Sequence, residues 1–324
     1  LDDVRDRTPL PGWMNGISSY SIWWVLIHAD WYRFTGDLAY LEEQHDYLLG
    51  LLELLRSQVT EGGKEKLGAH RFLDWPSSGN EAAIHAGLQA LLCMGLDAGA
   101  HLCDVLGEGA AAEACRKVVQ RMHTYRPGPA ASKQANALLA LAGLRDAQET
   151  NEQVLAVDPF RNVSTFYGYY VLQARALAGD YAGALELIRR FWGEMLDLGA
   201  TTFWEDFNLD WTENAAGIDD LVPEGKKDIH GDFGAYCYKG LRHSLCHGWA
   251  GGPTAWLTEH VLGIHPLEPG CKKVRVTPHL AGLAFARGIL PTPHGLVTVE
   301  HTAGPDGKVE SKIDAPNAVE IVTA

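Results

Sequence analysis

Apolar residues recur at intervals of three and four from Ile17 to about Gly263, and this regularity constrains the fold more than any other feature of the chain. The interval is that of an amphipathic helix. Gly and Asp open two such segments, at 36–37 and at 179–180, which is typical of the second helix of a hairpin. The pattern predicts helices near residues 17–34, 38–60, 81–106, 109–124, 131–144, 149–156, 162–178, 181–197, 213–221, 233–246 and 252–262. So many antiparallel helix pairs form either an open superhelix or a closed toroid, and the lack of a fixed repeat favours closure.

The pattern changes after Ile264, where Pro and Gly recur at short intervals between alternating β-branched stretches. Such alternation predicts short antiparallel strands, and Gly-Pro-Asp-Gly at 304–307 predicts a hairpin turn. The expected strands lie at 273–278, 283–290, 295–301, 309–313 and 319–322. We therefore predict a mainly α protein with a helical toroid at 1–264 and a small antiparallel β-sandwich at 265–324.

Composition excludes several classes of protein. The net charge of −14 and the pI near 5.4 argue against nucleic-acid binding, which requires clustered Lys and Arg. The first residues contain no apolar core of a signal peptide, and no run approaches the length expected of a membrane span. Six cysteines without paired CxxC spacing indicate reduced, buried thiols. The ten tryptophans, against nine phenylalanines, are unusual, because several of them lie beside Gly, Pro, Asp or Glu.

The segment 199–263 carries the strongest functional signal. Trp204 and Glu205 are adjacent in an expected loop, and further aromatic, acidic and histidine residues follow. Indole stacks on the apolar face of a pyranose, while carboxylates bind hydroxyls or activate water, so this pairing is typical of a carbohydrate site. We predict a chemical role for Glu205, with Asp206 and Asp210 as competitors or as acids that cap the loop.

Two histidines in the same segment, His243 and His247, are four residues apart, with His230 and Asp232 upstream. This spacing raises the question of a metal, but no HExxH motif is present. We expect His247 to contact a ligand hydroxyl, with Trp249 beside it as a further contact. A structural histidine is the second interpretation and a metal ligand the third.

Two other loops repeat the tryptophan theme. Asp74 and Trp75 precede an expected helix near 80–81, so Trp75 could stack on a sugar while Asp74 binds its hydroxyls. The alternative is a helix cap in which Trp75 covers the core. Pro-Gly-Trp-Met-Asn-Gly at 11–16 is a similar turn that bears Trp13. We expect these loops and the loop of Glu205 to converge on one sugar-sized cup.

The motifs ATTFWEDF, SLCHGWAGGPTAWLTEHVLGI and VRVTPHL…GILPTPHGLVTVEH resemble the catalytic region of the bacterial α-L-rhamnosidases, glycoside hydrolase family 78, and the resemblance extends over nearly the whole chain. It implies an (α/α)6 toroid followed by a β-sandwich, and inverting hydrolysis of terminal α-L-rhamnosyl residues without metal or organic cofactor. It also implies that Glu205 is the general base, that His247 contacts a sugar hydroxyl, and that Trp13 and Trp75 wall the rhamnose subsite. Asn15 stands where the family has an acidic residue in its Trp-Gly-Asp motif.

The general acid of the family belongs to a segment that matches this chain only poorly, at residues 2–7. Asp6 is the candidate within the chain. The DDxxD spacing at 2–6 is interpreted as a chance match to a magnesium motif, because Pro and Gly follow at once. We expect the chain to be a fragment that starts after the first helix of the toroid and lacks both the acid and the preceding β domains.

Two other functions stay open. One is a carbohydrate-binding relative that lacks catalytic activity, and the other is a different toroid enzyme, such as an unsaturated uronyl hydrolase or a polysaccharide lyase. The latter enzymes usually need Arg or Lys to bind a sugar carboxylate, and the loops rich in Trp and acids lack such residues. A neutral deoxysugar is therefore preferred.

Overall fold

The structure is a computed structural model that describes residues 16–68, 70–128, 130–229 and 243–323. The chain forms two compact units, and the division between them falls inside the first helix. Of the described residues, the first unit holds those within 16–32, 37–131 and 142–144. The second holds the described residues within 33–36, 132–141 and 145–323.

The first unit is helical. Its helices are α1 (Ser18–Thr35, which continues into the second unit), α2 (Leu38–Glu43), α3 (His45–Ser57), α4 (Glu81–Val105) and α5 (Gly109–Met122). Asp37 caps α2 by accepting the N–H of Tyr40, and Asn80 caps α4 by accepting the N–H of Ala83. The single helix predicted at 38–60 is two helices, which meet at Gln44.

Helix α4 is the core of this unit. It is 25 residues long, and its buried face packs on α3 and α5. Gly99 permits the close approach, since a Cβ there would lie 2.3 Å from Leu52 Cδ2. The helix is long and apolar enough to cross a membrane by length and composition, which the sequence analysis did not anticipate. However, 72% of its apolar window is buried inside the protein, as in the core helix of a globular unit.

The second unit contains shorter helices, several of which continue into π-helical turns. They are α6 (Lys133–Leu141), α7 (Ala147–Thr150) with the π-turn Asn151–Leu155, α8 (Gly168–Leu177), α9 (Tyr181–Leu187) with the π-turn Ile188–Trp192, α10 (Gly193–Asp197), and α11 (Gly252–Trp256) with the π-turn Leu257–Val261. Asp180 caps α9 by accepting the N–H of Gly183, as the Gly-Asp pattern predicts. The unit's core joins α6, α8 and α9 to the buried rings of Phe191, Trp204 and Trp256.

The helix predicted at 213–221 is wrong. A short 3-10 helix, Leu209–Thr212, ends there, and the chain then turns through Asn214, whose φ is 63°. The N–H of Lys227 donates to the carbonyl of Asn214, so this segment pairs with an extended stretch near Lys227 instead of forming a helix. Most of the helix predicted at 233–246 lies outside the described residues, and residues 243–246 are not helical.

The C-terminal region contains two three-stranded sheets. Their strands are β1 (Ile264–Pro266), β2 (Lys273–Val276), β3 (Phe285–Thr292), β4 (Gly295–Ala303), β5 (Val309–Asp314) and β6 (Glu320–Thr323). The sheet β3-β4-β5 is antiparallel as predicted, whereas in β1-β2-β6 the strand β6 runs parallel to β2. Val274 and Val276 of β2 and Val297 and Val299 of β4 are buried in one small core.

Gly263 joins the last helical turn to β1. Its φ is +69°, and a Cβ there would lie 2.1 Å from the carbonyl carbon of Thr277. The N–H of Thr277 donates to the carbonyl of Gly263, so the chain closes tightly at this point. The sheets belong to the same compact unit as the helices from residue 145 onward. A domain boundary at 264/265 stays a prediction.

The cysteines within the described ranges form no disulfides. Cys93, Cys103, Cys115 and Cys271 are buried, and burial raises the pKa of the Cys93 thiol to about 12. Cys246 is exposed, so the prediction of buried thiols is wrong at that position.

Candidate active site

The backbone of Glu205 is fixed on both sides. Its N–H donates to the carbonyl of Ser244 at 2.9 Å. Its carbonyl accepts the indole Nε1–H of Trp249 at 2.7 Å and the hydroxyl of Thr165. These contacts come from the turn before α8 and from the segment before α11. Glu205 is therefore held in its loop by two separate parts of the second unit.

The carboxylate of Glu205 is held by only one of its oxygens. Oε2 accepts the Ser244 N–H at 3.2 Å and lies 3.9 Å from His247 Nδ1. Oε1 has no hydrogen-bond partner among the described residues. The side chain is 16% exposed and that of His247 is 33% exposed. An oriented carboxylate with one open oxygen is equipped to bind and activate a water molecule.

Aromatic rings adjoin this carboxylate. Trp249 stacks on Phe166 with centroids 5.2 Å apart and planes at 3°, and the His247 ring lies 4.5 Å from the Trp249 ring. All three side chains are half-buried. An imidazole, an indole and a carboxylate at one partly open surface provide a hydrogen-bond donor, a stacking face and a base, which together suit a carbohydrate ligand. Glu205, His247 and Trp249 are thus brought together.

The expected role of Trp204 as a substrate contact is contradicted. Its side chain is 0% exposed and packs against Phe207 and His243 in the core of the second unit. A fully buried indole cannot stack on a sugar ring. His243 is also buried, and its Nε2 accepts the N–H of Asp206 at 3.0 Å, so the structural interpretation holds for this histidine.

Of the two acids that follow Glu205, Asp206 stabilises the loop, whereas the side chain of Asp210 lies at the surface. Asp206 is buried, and its Oδ1 accepts the N–H of Phe207 at 2.9 Å. Asp210 is exposed and lies 3.8 Å from Arg161 Nη2. Asn208 Oδ1 accepts the N–H of Asp210, which starts the 3-10 helix. Neither acid has the open, oriented geometry of Glu205.

Asp74 and Trp75 lie in the first unit. Asp74 is 2% exposed, and its Oδ1 accepts the Ser77 N–H at 3.0 Å, so this carboxylate closes a turn before α4. The expectation that Asp74 binds sugar hydroxyls is contradicted by this burial. Trp75 is half-buried and lines a cavity of about 420 Å³, within the range of small-molecule sites. The other described residues that line it are Ile17, Tyr20, His70, Arg71, Phe72 and Glu81.

Several predicted residues lie outside the described ranges, namely Trp13, Asn15, Asp6, His230 and Asp232. A single cup that contains both Trp75 and Glu205 also stays a prediction, since the two residues belong to different units. Within the described ranges, no three His, Cys, Asp or Glu side chains converge as a bound metal would require.

The sequence analysis missed three residues that support Glu205 or its aromatic neighbours, of which Ser244 acts through its main chain. Ser244 lies inside the motif SLCHGW, so its closeness to His247 in sequence was a usable signal. Thr165 and Phe166 lie about forty residues before Glu205, and no sequence signal linked them to it. A Thr-Phe pair ahead of a helix is too common to indicate a site.

Comparison with known sequences identifies the C-terminal region. Residues 263–322 match the model of the bacterial alpha-L-rhamnosidase C-terminal domain. Over 117 residues the chain is 32% identical to an alpha-L-rhamnosidase of Alteromonas sp. (strain LOR). That match covers 36% of this chain and 10% of the relative.

Solved structures extend the likeness to nearly the whole chain. The GH78 family rhamnosidase of Bacillus sp. GL1 superposes with a TM-score of 0.75 at 20% identity, covering 95% of this chain and 33% of that one. The alpha-L-rhamnosidase of Streptomyces avermitilis, solved with L-rhamnose, gives 0.71 at 18% identity and covers 90% and 28%. At these identities the comparison establishes the fold. The chain spans about a third of the length of these relatives.

The helical region and the small sheet region that follows it have the fold of the solved α-L-rhamnosidases, and the C-terminal region matches their family model. Those relatives are α-L-rhamnosidases, several of them bacterial, and the resemblance that the sequence motifs indicate is confirmed.

Proposed function

We propose that this chain is the catalytic region of an inverting glycoside hydrolase that removes terminal α-L-rhamnosyl residues, with Glu205 as the general base. The observation that carries the proposal is the carboxylate of Glu205. Its backbone is fixed from both sides, its Oε2 is held by the Ser244 N–H and lies 3.9 Å from His247 Nδ1, and its Oε1 has no hydrogen-bond partner among the described residues. The likeness to rhamnosidases in sequence and fold supports the choice of sugar.

An inverting enzyme places a water molecule between its base and the anomeric carbon, while a second carboxyl group, about 6.5–9.5 Å from the base, protonates the leaving oxygen. In the proposed reaction, Glu205 Oε1 accepts a proton from this water as its oxygen attacks. His247 donates to a sugar hydroxyl, and Trp249 lines the site. The proton donor is assigned to none of the described residues. Asp6 remains the prediction within this chain, and the resemblance implies a donor in a preceding segment.

The proposal includes the arrangement of the helices. We infer that they form an (α/α)6 toroid closed around the sugar site and followed by a β-sandwich. The tight turn at Gly263 and the pairing of the terminal strands with β2 and β4 support a compact C-terminal module. No metal or organic cofactor is part of the proposal.

The test uses a leaving group that does not need protonation. The chain should hydrolyse 2,4-dinitrophenyl α-L-rhamnoside, while 4-methoxyphenyl α-L-rhamnoside should react far more slowly if no acid assists its departure. Proton NMR of the first product should show β-L-rhamnose, because the reaction inverts the anomeric centre. Appearance of α-L-rhamnose first would overturn the single-displacement mechanism.

The Glu205→Ala variant tests the base directly. Its hydrolysis of the dinitrophenyl glycoside should fall by about 10²–10⁴. Sodium azide should restore release of dinitrophenol and yield β-L-rhamnosyl azide, since the small anion occupies the place of the activated water. Asp210→Ala, a change at an exposed acid in the same loop, is the matched control and should retain activity. L-rhamnose binding without any hydrolysis would instead identify a carbohydrate-binding protein.

A further inference from the structure

The carboxylate of Glu65 is fully buried in the first unit. Its side chain is 0% exposed, and its two oxygens accept from the guanidinium of Arg71 at 2.7 and 3.0 Å. His85 Nδ1 lies 2.5 Å from Oε1, and the N–H of Leu67 donates to Oε2 at 2.8 Å. Burial alone would raise the pKa of this carboxyl, but the hydrogen bonds from His85, Arg71 and Leu67 outweigh it and lower the pKa to about 2.

Arg71 is only partly used by this network. A guanidinium has five N–H donors. Two of them bind Glu65, and one binds the carbonyl of Leu67 at 2.9 Å. Nε–H and one Nη2–H have no partner among the described residues. The side chain is 28% exposed and lines the 420 Å³ cavity, so its unused donors belong to a group at the cavity wall.

Aromatic rings form a continuous wall of the same cavity. Phe72 contacts Trp75 edge-on at 4.9 Å and Tyr20 at 6.4 Å between centroids. Glu81, an exposed acid in the first turn of α4, also lines the space. The site therefore offers an apolar surface, fixed donors from Arg71 and acceptors from Glu81. Pairs of sugar hydroxyls require this combination of donor and acceptor beside a stacking surface.

Charge decides the class of ligand. The charge of Arg71 is cancelled by Glu65, and Glu81 adds one negative charge. Among the described residues, Arg71, Glu65 and Glu81 together present no net positive charge to an anionic sugar, although an arginine lines the cavity. The sequence analysis had found no arginine in the tryptophan-bearing loops, and the position of Arg71 beside Trp75 corrects that statement. The arginine does not make the site one for uronates, because its charge is already paired.

Burial of an ion pair is costly and does not by itself stabilise a fold. In this pair Glu65 is fully buried and Arg71 reaches a cavity. Such a pair can fix the orientation of the exposed N–H donors of the guanidinium. We propose that Arg71 binds a hydroxyl group of a neutral sugar in this cavity, and that Glu65 is the positioning residue that orients it. The assignment rests on the proposed function, which makes L-rhamnose the first neutral sugar to test.

The first experiment measures binding by calorimetry with L-rhamnose, L-fucose, D-mannose and D-galacturonate. Arg71→Lys keeps the charge but loses the planar fork, so affinity for the bound neutral sugar should fall roughly ten- to hundredfold. Arg175→Lys is the matched control. Arg175 forms a similar forked pair with Asp180 at 2.9 and 2.6 Å but lines no part of this cavity. This control should bind sugar as the unaltered chain does.

Glu65→Gln tests positioning. The variant should raise the dissociation constant, and raise KM for dinitrophenyl α-L-rhamnoside, with kcat little changed. The double variant with Arg71→Lys should lose little more than either single variant, because both act through one guanidinium. A merely structural role for Glu65 would lower the melting temperature of the variant and leave the affinity of its folded fraction unchanged. That result would overturn the inference.

The outcomes separate this inference from the proposed function. Rhamnose binding that is insensitive to both variants removes the role of Arg71 but leaves Glu205 as the base. Binding of another neutral sugar that depends on Arg71, with no reaction of rhamnosides, supports the cavity assignment and refutes the rhamnosidase proposal. Tighter binding of D-galacturonate than of any neutral sugar, or no binding of any of the four sugars, overturns the assignment of this cavity.

Discussion

The indole Nε1 of Trp249 lies 2.7 Å from the main-chain carbonyl oxygen of Glu205. This hydrogen bond crosses between two loops and fixes the residue proposed as the base from the backbone side. Trp249 thus has two roles, since its ring also stacks on Phe166 and lies beside His247.

Trp249→Phe should keep the ring stacking but lose this hydrogen bond. The turnover of dinitrophenyl α-L-rhamnoside per folded molecule should fall about fivefold, which corresponds to a neutral hydrogen bond of about 1 kcal/mol. Trp256→Phe is the control, because it loses a similar bond, from Nε1 to the Leu172 carbonyl, deep in the core. The control should lower stability and leave turnover unchanged, whereas equal turnover in both variants would contradict a role for Trp249.

Trp204→Ala should destabilise the protein by about 3–5 kcal/mol, because it opens a cavity in the core of the second unit. Trp75→Ala should cost less stability, since Trp75 is half-buried, but should weaken sugar binding. Urea denaturation and calorimetry on both variants distinguish a core indole from a ligand-contacting one. Loss of binding in a stable Trp204→Ala protein would restore the expectation made from the sequence.

His260 should make the protein less stable in weak acid. Burial, together with the neighbouring His265 and His279, lowers the pKa of His260 from 6.5 to about 4. As pH falls from 6.5 to 4, the His260 imidazole becomes protonated in the unfolded chain but stays neutral in the folded chain. The unfolding free energy therefore falls across this window, by on the order of 3 kcal/mol for this residue.

The His260→Gln variant lacks this protonation. Between pH 6.5 and 4, the unfolding free energy of the variant should therefore fall less steeply than that of the unaltered chain. His265 and His279 also have lowered pKa values because of burial, so part of the slope should persist. His45→Gln serves as the comparison. His45 is paired with Asp46 and Glu108 and its pKa is raised, so removing it should not flatten the acid slope. Parallel curves for His260→Gln and the unaltered chain would refute this assignment.

Gly263→Ala should destabilise the protein by more than about 2 kcal/mol, because the new Cβ meets the Thr277 backbone and the residue has positive φ. Gly282→Ala separates the two effects, since Gly282 has φ of +89° but nothing within 4 Å of a Cβ. It should cost only about 1 kcal/mol. Equal losses in thermal denaturation would show that the clash at Gly263 is relieved by movement of the backbone.

The sequence predicted most helices and strands because their signals are local. Asp180 caps a helix where Gly-Asp indicated one, and the alternation at 295–301 became β4. The failures have non-local causes. The segment at 213–221 pairs with Lys227 instead of forming a helix. The last strand of the chain, β6, lies parallel to β2.

The candidate site shows the same division. The importance of Glu205 could be inferred from its aromatic neighbours and the family motif, but which tryptophan faces the site could not. Trp204 is adjacent to Glu205 in sequence and points into the core, whereas Trp249 is distant in sequence and binds the Glu205 carbonyl. The role of Arg71 was missed because it depends on Glu65. Nothing in the sequence shows that Glu65 contacts Arg71 and His85 of α4 in the folded chain.

The parallel pairing of β2 with β6 has a consequence for synthesis. Lys273 faces Glu320, with their charged atoms 2.7 Å apart, and this edge of β2 has no other strand partner among the described residues. During translation, this sheet cannot be completed until residues 320–323 have emerged from the ribosome. Until then, β2 presents an open edge on which a nascent chain could pair with a neighbour, so premature termination near residue 315 would favour aggregation.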